Sequence, residues 1–210
     1  MYQKKDKSYG RIALIYYCIY FLGLLSAGFL LWKGVPYYGT SVIYIPLFAA
    51  GIIIALVKDG NIYNLGYGKE NLKENLLISL VIVVITFLVI LKFSSLPFGE
   101  LFRKMLYYLF YIAAVEEILF RGLIQSYLFG IKGNKYIIFI IGALLFAFIH
   151  IPFQMFAHGN VSWGYLIEAI PNLIETFFFH LLFCWITCKR GDITIPIAIH
   201  YAYDFLGVII

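Results

Sequence analysis

From Ile12 to Trp32 the chain runs 21 residues without a charged side chain, "IALIYYCIYFLGLLSAGFLLW", and a segment of that kind leaves few folds open. About 20 apolar residues in a helix cross the hydrocarbon core of a bilayer, where only helices and closed barrels satisfy their backbones. The stretch is longer than the apolar region of about 7 to 15 residues in a secretory signal, so it reads as a retained first span, roughly 11–32. Further apolar runs follow near 41–57, 75–93, 101–129, 136–156, 163–188 and 193–210. They predict an all-α, polytopic transmembrane helix bundle of about seven spans, within a range of six to eight. Hydrophobic residues make up 63% of the chain and charged ones 13%, far from the balance of a soluble domain, and no separate soluble domain fits. The run 101–129 exceeds one span, which predicts strong tilt or an interfacial start around "LFRKM". Pro171 predicts a kink in the sixth run.

The net charge of +5 does not point to nucleic acid, because the basic residues sit in short connections between apolar runs, where they set orientation. With the N-terminus cytoplasmic, the inside segments hold Lys4, Lys5, Lys7, Arg11, Lys58, Lys69, Lys73, Lys132, Lys135, Lys189 and Arg190. The outside segments hold only Lys33, Lys92, Arg103 and Lys104. The expectation is an integral protein of the cell membrane with its N-terminus inside and its C-terminus outside, surrounded by lipid and without a nucleic-acid partner. Cys18, Cys184 and Cys188 are expected as small buried apolar residues, since no further cysteine or nearby histidine pair completes a zinc pattern.

The chemistry-bearing residues are unevenly placed. Residues 1–100 carry almost no charge in their apolar centres and read as scaffold; residues 101–210 hold all four histidines and read as the working core. In "AAVEEILFRG", 113–122, two adjacent carboxylates and an arginine lie at membrane depth, where each ionisable group costs at least ~2.5 to 3.5 kcal/mol on insertion scales. On a helix Glu117 and Arg121 are four apart and can pair, while Glu116 points ~100° away and has no fixed counter-ion. A pair of that kind alone is often structural; a second carboxylate beside it is what general-base chemistry uses. "FAFIH" puts Phe146 and His150 on one face, and "HYAYD" puts His200 and Asp204 on one face. Singly each is weak. Together they offer a Glu, two His and an Asp from three helices that a bundle can bring together.

In their order along the chain, "EEILFR", "FAFIH" and "HYAYD" resemble the E-E-x-x-x-R, F-x-x-x-H and H-x-x-x-N/D motifs of the CPBP family of intramembrane proteases. That family includes the type 2 CAAX prenyl endoproteases and the bacterial Abi proteins associated with bacteriocin self-immunity. The resemblance covers roughly residues 105–208. It implies an intramembrane endopeptidase acting on a membrane-associated peptide or protein, in CAAX-type processing or in bacteriocin processing or self-immunity. By position it implies that Glu116 activates the hydrolytic water and His150 helps to hold it. His200 and Asp204 would stabilise the oxyanion, and Glu117 with Arg121 would be support. Asp204 stands where the family often has Asn, and an ionised Asp accepts where Asn can donate.

Two questions stay open at this level. Glu116, His150, His200 and Asp204 could ligate zinc, yet the histidines are 50 residues apart and no H-E-x-x-H is present, so a glutamate-activated water without metal is favoured over a zinc centre. A non-catalytic membrane protein conferring immunity by occupying a target is the alternative to an enzyme. A proton-coupled transporter is not recommended, for want of an internal repeat or paired broken helices. There is no G-x-S-G of a serine enzyme. His180 and Glu175 are candidates for the same cavity, Glu168 for a polar crevice or membrane surface, and His158 for an exposed loop.

Overall fold

In a computed structural model the described residues are 2–68 and 71–207. Lys69 of the orientation count and residues 208–210 of the last expected span lie outside them. Among the described residues all regular structure is helical. In chain order the helices are α1, Lys7–Trp32; α2, Ser41–Asp59; α3, Leu72–Phe93; α4, over 98–128; α5, Lys135–Phe148; α6, His150–Ala157; α7, Trp163–Glu168; α8, Ile170–Arg190; and α9, Thr194–Leu206. Asp6 starts α1 by accepting from the Ser8 amide at 2.7 Å, and Asn134 starts α5 by accepting from that of Tyr136 at 2.9 Å, each satisfying an amide the helix leaves unpaired. Gly60 and Gly191, at φ of 71° and 77°, close α2 and α8 in the left-handed conformation a side chain disfavours.

Among the described residues five segments are long and apolar enough to cross a membrane: Lys7–Trp32, Tyr37–Asp59, Leu72–Phe93, Lys135–Ala157 and Ile170–Arg190. Only 11% to 39% of their most apolar windows is buried inside the protein; Ile15, Leu22, Val57, Leu77, Phe178 and Trp185 point outward, as lipid-facing residues do. The two remaining expected spans, α4 and α9, differ from these five and supply most of the polar groups at depth. With 13 residues, α9 is about 20 Å long, short of a core of about 30 Å.

Two expectations are corrected, one on Pro171 and one on the cysteines. Pro171 lies in the first turn of α8, where a missing N–H costs nothing, so it starts that helix after the short α7 and does not kink it. The interruption in the Lys135–Ala157 span falls instead at Ile149, between α5 and α6. Pro152 follows it and cannot donate to the carbonyl of Phe148, which explains the break. Cys18 and Cys188 are exposed on outward helix faces; only Cys184 is buried.

α4 is the axis of the bundle. Every residue from 117 to 130 is buried, the polar Glu117, Arg121, Gln125 and Ser126 included. Its winding is not uniform: Ala114–Glu117 is an α-helical turn between two π-helical stretches, Tyr107–Ala113 and Ile118–Gln125. Such widened turns are rare and recur at functional sites. Gly122 lets α4 meet the turn after α2, since a Cβ there would lie 2.2 Å from the Leu65 carbonyl oxygen. That neighbour is backbone and cannot swing aside. Gly122→Ala is therefore expected to destabilise the protein by about 1 to 3 kcal/mol, read as a lowered melting temperature in detergent.

The basic connections gather at one end. The Lys5 amide donates to the Phe129 carbonyl at 3.2 Å, and the Lys5 ammonium stands 3.9 Å from Asp59, whose carboxylate also accepts from Tyr9 and Tyr127 at 2.9 and 2.8 Å. Arg190 donates to Asn75 at 2.7 Å and pairs with Glu74 at 3.0 Å, tying the end of α8 to the start of α3. The Ile193 amide bonds the Gly66 carbonyl at 2.9 Å. Lys4, Lys5, Lys7, Arg11, Lys58, Lys73, Lys132, Lys135, Lys189 and Arg190 thus share one face, and Lys33, Lys92, Arg103 and Lys104 lie toward the other.

Candidate active site

The α-helical turn of α4 presents Glu116 and Glu117 in different directions. Glu117 is fully buried, as is Arg121, whose Nη1 lies 3.0 Å from the Glu117 Oε1. No guanidinium nitrogen of Arg121 makes an aligned hydrogen bond, so the contact is ionic. The guanidinium carbon also lies 4.0 Å from the centre of the Phe146 ring and 5.1 Å from that of Phe183, a cation sandwiched between aromatic faces. The same Glu117 Oε1 is 2.8 Å from Nδ1 of His200 on α9. One carboxylate therefore joins α4 to α9. It also settles which nitrogen of His200 carries a proton on that side, because a carboxylate accepts.

Glu116 stands free of this pair. Its Oε2 is 3.9 Å from Nε2 of His150 and 3.9 Å from Nε2 of His200, and it is buried with no hydrogen-bond partner in the protein. Those separations exceed a direct hydrogen bond and leave both ring nitrogens within reach of one water beside the carboxylate. A buried polar group left unsatisfied costs about 1 to 3 kcal/mol, so a polar position like this attracts water. His150, just past the break at Ile149, uses Nδ1 toward the Phe146 carbonyl at 2.8 Å. A carbonyl only accepts, so Nδ1 bears a hydrogen, and Nε2 faces Glu116. Asp204 Oδ2 lies 3.4 Å from His200 Nε2, on the side away from Glu117. The three helices thus bring Glu116, His150, His200 and Asp204 together.

Two cavities meet at this cluster, sharing Ile112, Glu116, His150 and Gln154. The larger, about 460 Å³, is walled by aromatic residues, among them Tyr20, Tyr37, Tyr44, Tyr111, Phe120 and Phe153. The smaller, about 210 Å³, is the more polar of the two and includes Asn172, Glu175, His200, Tyr203 and Asp204 beside Phe146, Phe179 and Phe183. Residues of α1 and α2, read from sequence as scaffold, line the larger chamber. Their tyrosines were indistinguishable in sequence from an interfacial aromatic belt. Glu175 lines the smaller chamber and accepts from the Tyr203 hydroxyl. His180 lines neither: it is fully buried with its Nε2 2.9 Å from Gln125 Oε1. His158 is exposed at the end of α6, and Glu168 accepts from Asn160 at 3.0 Å. Sequence reasoning passed over Gln154, which bridges the chambers and accepts from Tyr165 and Asn172 at 3.2 and 3.1 Å. Among the described residues no group of three or more His, Cys, Asp or Glu side chains is arranged to hold a metal ion.

Residues 98–206 match the family model described as Type II CAAX prenyl endopeptidase Rce1-like. No curated protein and no solved structure matches the chain.

Proposed function

Because the chain belongs to the Type II CAAX prenyl endopeptidase Rce1-like family, a family of membrane-embedded proteases, we propose that it hydrolyses a peptide bond of a membrane-associated substrate with a water activated by Glu116. The observation that carries this reading is the position of the Glu116 Oε2, 3.9 Å from both imidazole Nε2 atoms at the junction of the two chambers. A water between Glu116 and His150 gives its proton to the carboxylate while the His150 Nε2 lone pair holds the remaining O–H. The oxygen then adds to the substrate carbonyl. The oxyanion falls against His200 Nε2, which donates to it when the ring is doubly protonated, with Nδ1–H held by Glu117; Asp204, 3.4 Å from the same Nε2, orients the ring until the oxyanion takes that N–H. As the tetrahedral intermediate collapses, Glu116 returns the proton to the departing nitrogen, leaving a carboxylic acid and an amine. Glu117 and Arg121 are positioning residues: Glu117 bonds His200, Arg121 pairs with Glu117, and neither touches the reacting atoms. The apolar chamber takes the apolar chain of the substrate on one side of the bond, and the polar chamber takes the peptide on the other.

The excess of lysine and arginine at one face supports a cell-membrane protein with that face, and so the N-terminus, in the cytoplasm. Bacteriocin processing or immunity is one use to which such a protease can be put; the site chemistry is the same whichever peptide is cut.

The test is a comparison of membrane peptides from cells producing the wild-type chain and His200→Ala, by mass spectrometry. Loss of an oxyanion donor typically costs about 10² to 10³ in rate, so uncleaved peptides accumulate in the variant. Asp204→Asn, which can donate directly, is expected to keep most of the activity. Identical peptide patterns for wild type and a normally inserted His200→Ala chain contradict the reading.

A further inference from the structure

The catalytic cluster is not centred between the two faces of the bundle, and the chain is not equally packed on its two sides. The larger chamber is reached by Tyr20 and Leu24 in the later part of α1, by Tyr37 in the turn after it, by Tyr44 near the start of α2, and by Gln154 and Ala157 at the end of α6. The smaller is lined by Asn172, Glu175 and Thr176 in the first turns of α8 and by Tyr203 and Asp204 in the last turns of α9. All of these positions belong to the half away from the basic face. Toward the basic face the way is closed: Arg121, Leu123, Ile124, Gln125 and Tyr127 of α4 and His180 of α8 are all fully or almost fully buried. The exposed residues of the chambers, Tyr37, Ile45, Ala157, Glu175 and Tyr203, lie on the other side of that layer.

Resting on the reading of Glu116 given above, we infer that the site admits its substrate from the face opposite the basic one, the extracytoplasmic face, and acts on peptide segments presented there. The basic face is the cytoplasmic one by the rule that lysine and arginine are retained inside, and the packed layer of α4 and α8 separates it from Glu116. The charge of the walls agrees. Among the described residues lining the two chambers there is no lysine or arginine, whereas Glu116, Glu175 and Asp204 are present. A free C-terminal carboxylate, as on the tail of a cytosolic protein, finds no lysine or arginine there to pair with and meets three carboxylates. An internal bond of an exported or surface-held peptide carries no such penalty.

The experiment uses the full chain in intact cells and a membrane-impermeant maleimide, with each label assigned by peptide mapping so that the three native cysteines stay in place. Tyr38→Cys marks the turn after α1, Gln154→Cys the junction of the chambers, and Lys132→Cys the basic face. The inference expects labelling at 38 and 154 in intact cells, and at 132 only after permeabilisation. Labelling at 132 in intact cells, or at 154 only after permeabilisation, overturns it. Because labelling does not depend on turnover, a Glu116→Gln chain that still cleaves its substrate defeats the catalytic reading and leaves this pattern unchanged. A reversed pattern defeats the inference and leaves the catalytic reading standing.

Discussion

Replacing Glu116 with glutamine is expected to slow hydrolysis by about 10² to 10⁴-fold, the usual contribution of a positioned general base. Glutamine keeps the size and polarity of the side chain and loses only the ability to take a proton from water. At about 1.36 kcal/mol per factor of ten, this corresponds to a barrier raised by roughly 3 to 5 kcal/mol. Stability should change little. Glu116 makes no ion contact shorter than 3.9 Å, and the charge that ties α4 to α9 belongs to its neighbour. Turnover of a cleaved peptide and melting temperature, measured on the same purified variant, separate this outcome from a purely structural role, which predicts a shifted melt and an unchanged rate.

Arg121→Leu is expected to have the largest effect on stability, about 3 to 5 kcal/mol, because it leaves the Glu117 carboxylate buried without its cation. Arg121 is the bulkiest fully buried side chain among the described residues, and its guanidinium is held between Phe146 and Phe183. The loss therefore includes packing as well as charge. Removing both charges, as Glu117→Leu with Arg121→Leu, is expected to restore much of the melting temperature, since a buried ion pair seldom outperforms well-packed apolar residues. Activity should not return with it, because His200 Nδ1 then has no carboxylate to hold the ring. Denaturation in detergent measures the first effect and peptide turnover the second; recovery of both together would contradict the role given to Glu117.

How much of this was legible in the sequence depends on the range of the interaction. Spans follow from uninterrupted apolar length, a local property, and α1, α2, α3 and the Lys135–Ala157 segment lie where hydropathy places them. The pairing of Glu117 with Arg121 and the shared face of His200 and Asp204 follow from a four-residue spacing, also local. The bond between Glu117 and His200 spans 83 residues and had no local signal. Neither did the π-helical turns around the two glutamates, since no residue pattern distinguishes them from an ordinary helix. His180 shows the opposite error: a histidine at depth suggested the cavity, and it is instead a core residue satisfied by Gln125. Pro171 was read as a kink because the apolar pattern runs through it. The backbone breaks just before it, where the same ring is favourable.

The central claim is that a water held by Glu116 and His150, without a metal, performs the attack. An experimental structure of the wild-type chain in a lipid nanodisc, at a resolution that shows ordered water, addresses it directly. The account predicts a single water within about 3 Å of both Glu116 Oε2 and His150 Nε2, the reach proton transfer requires. An ion at that position, ligated by Glu116 and the two histidines at about 2.0 to 2.2 Å, would contradict it.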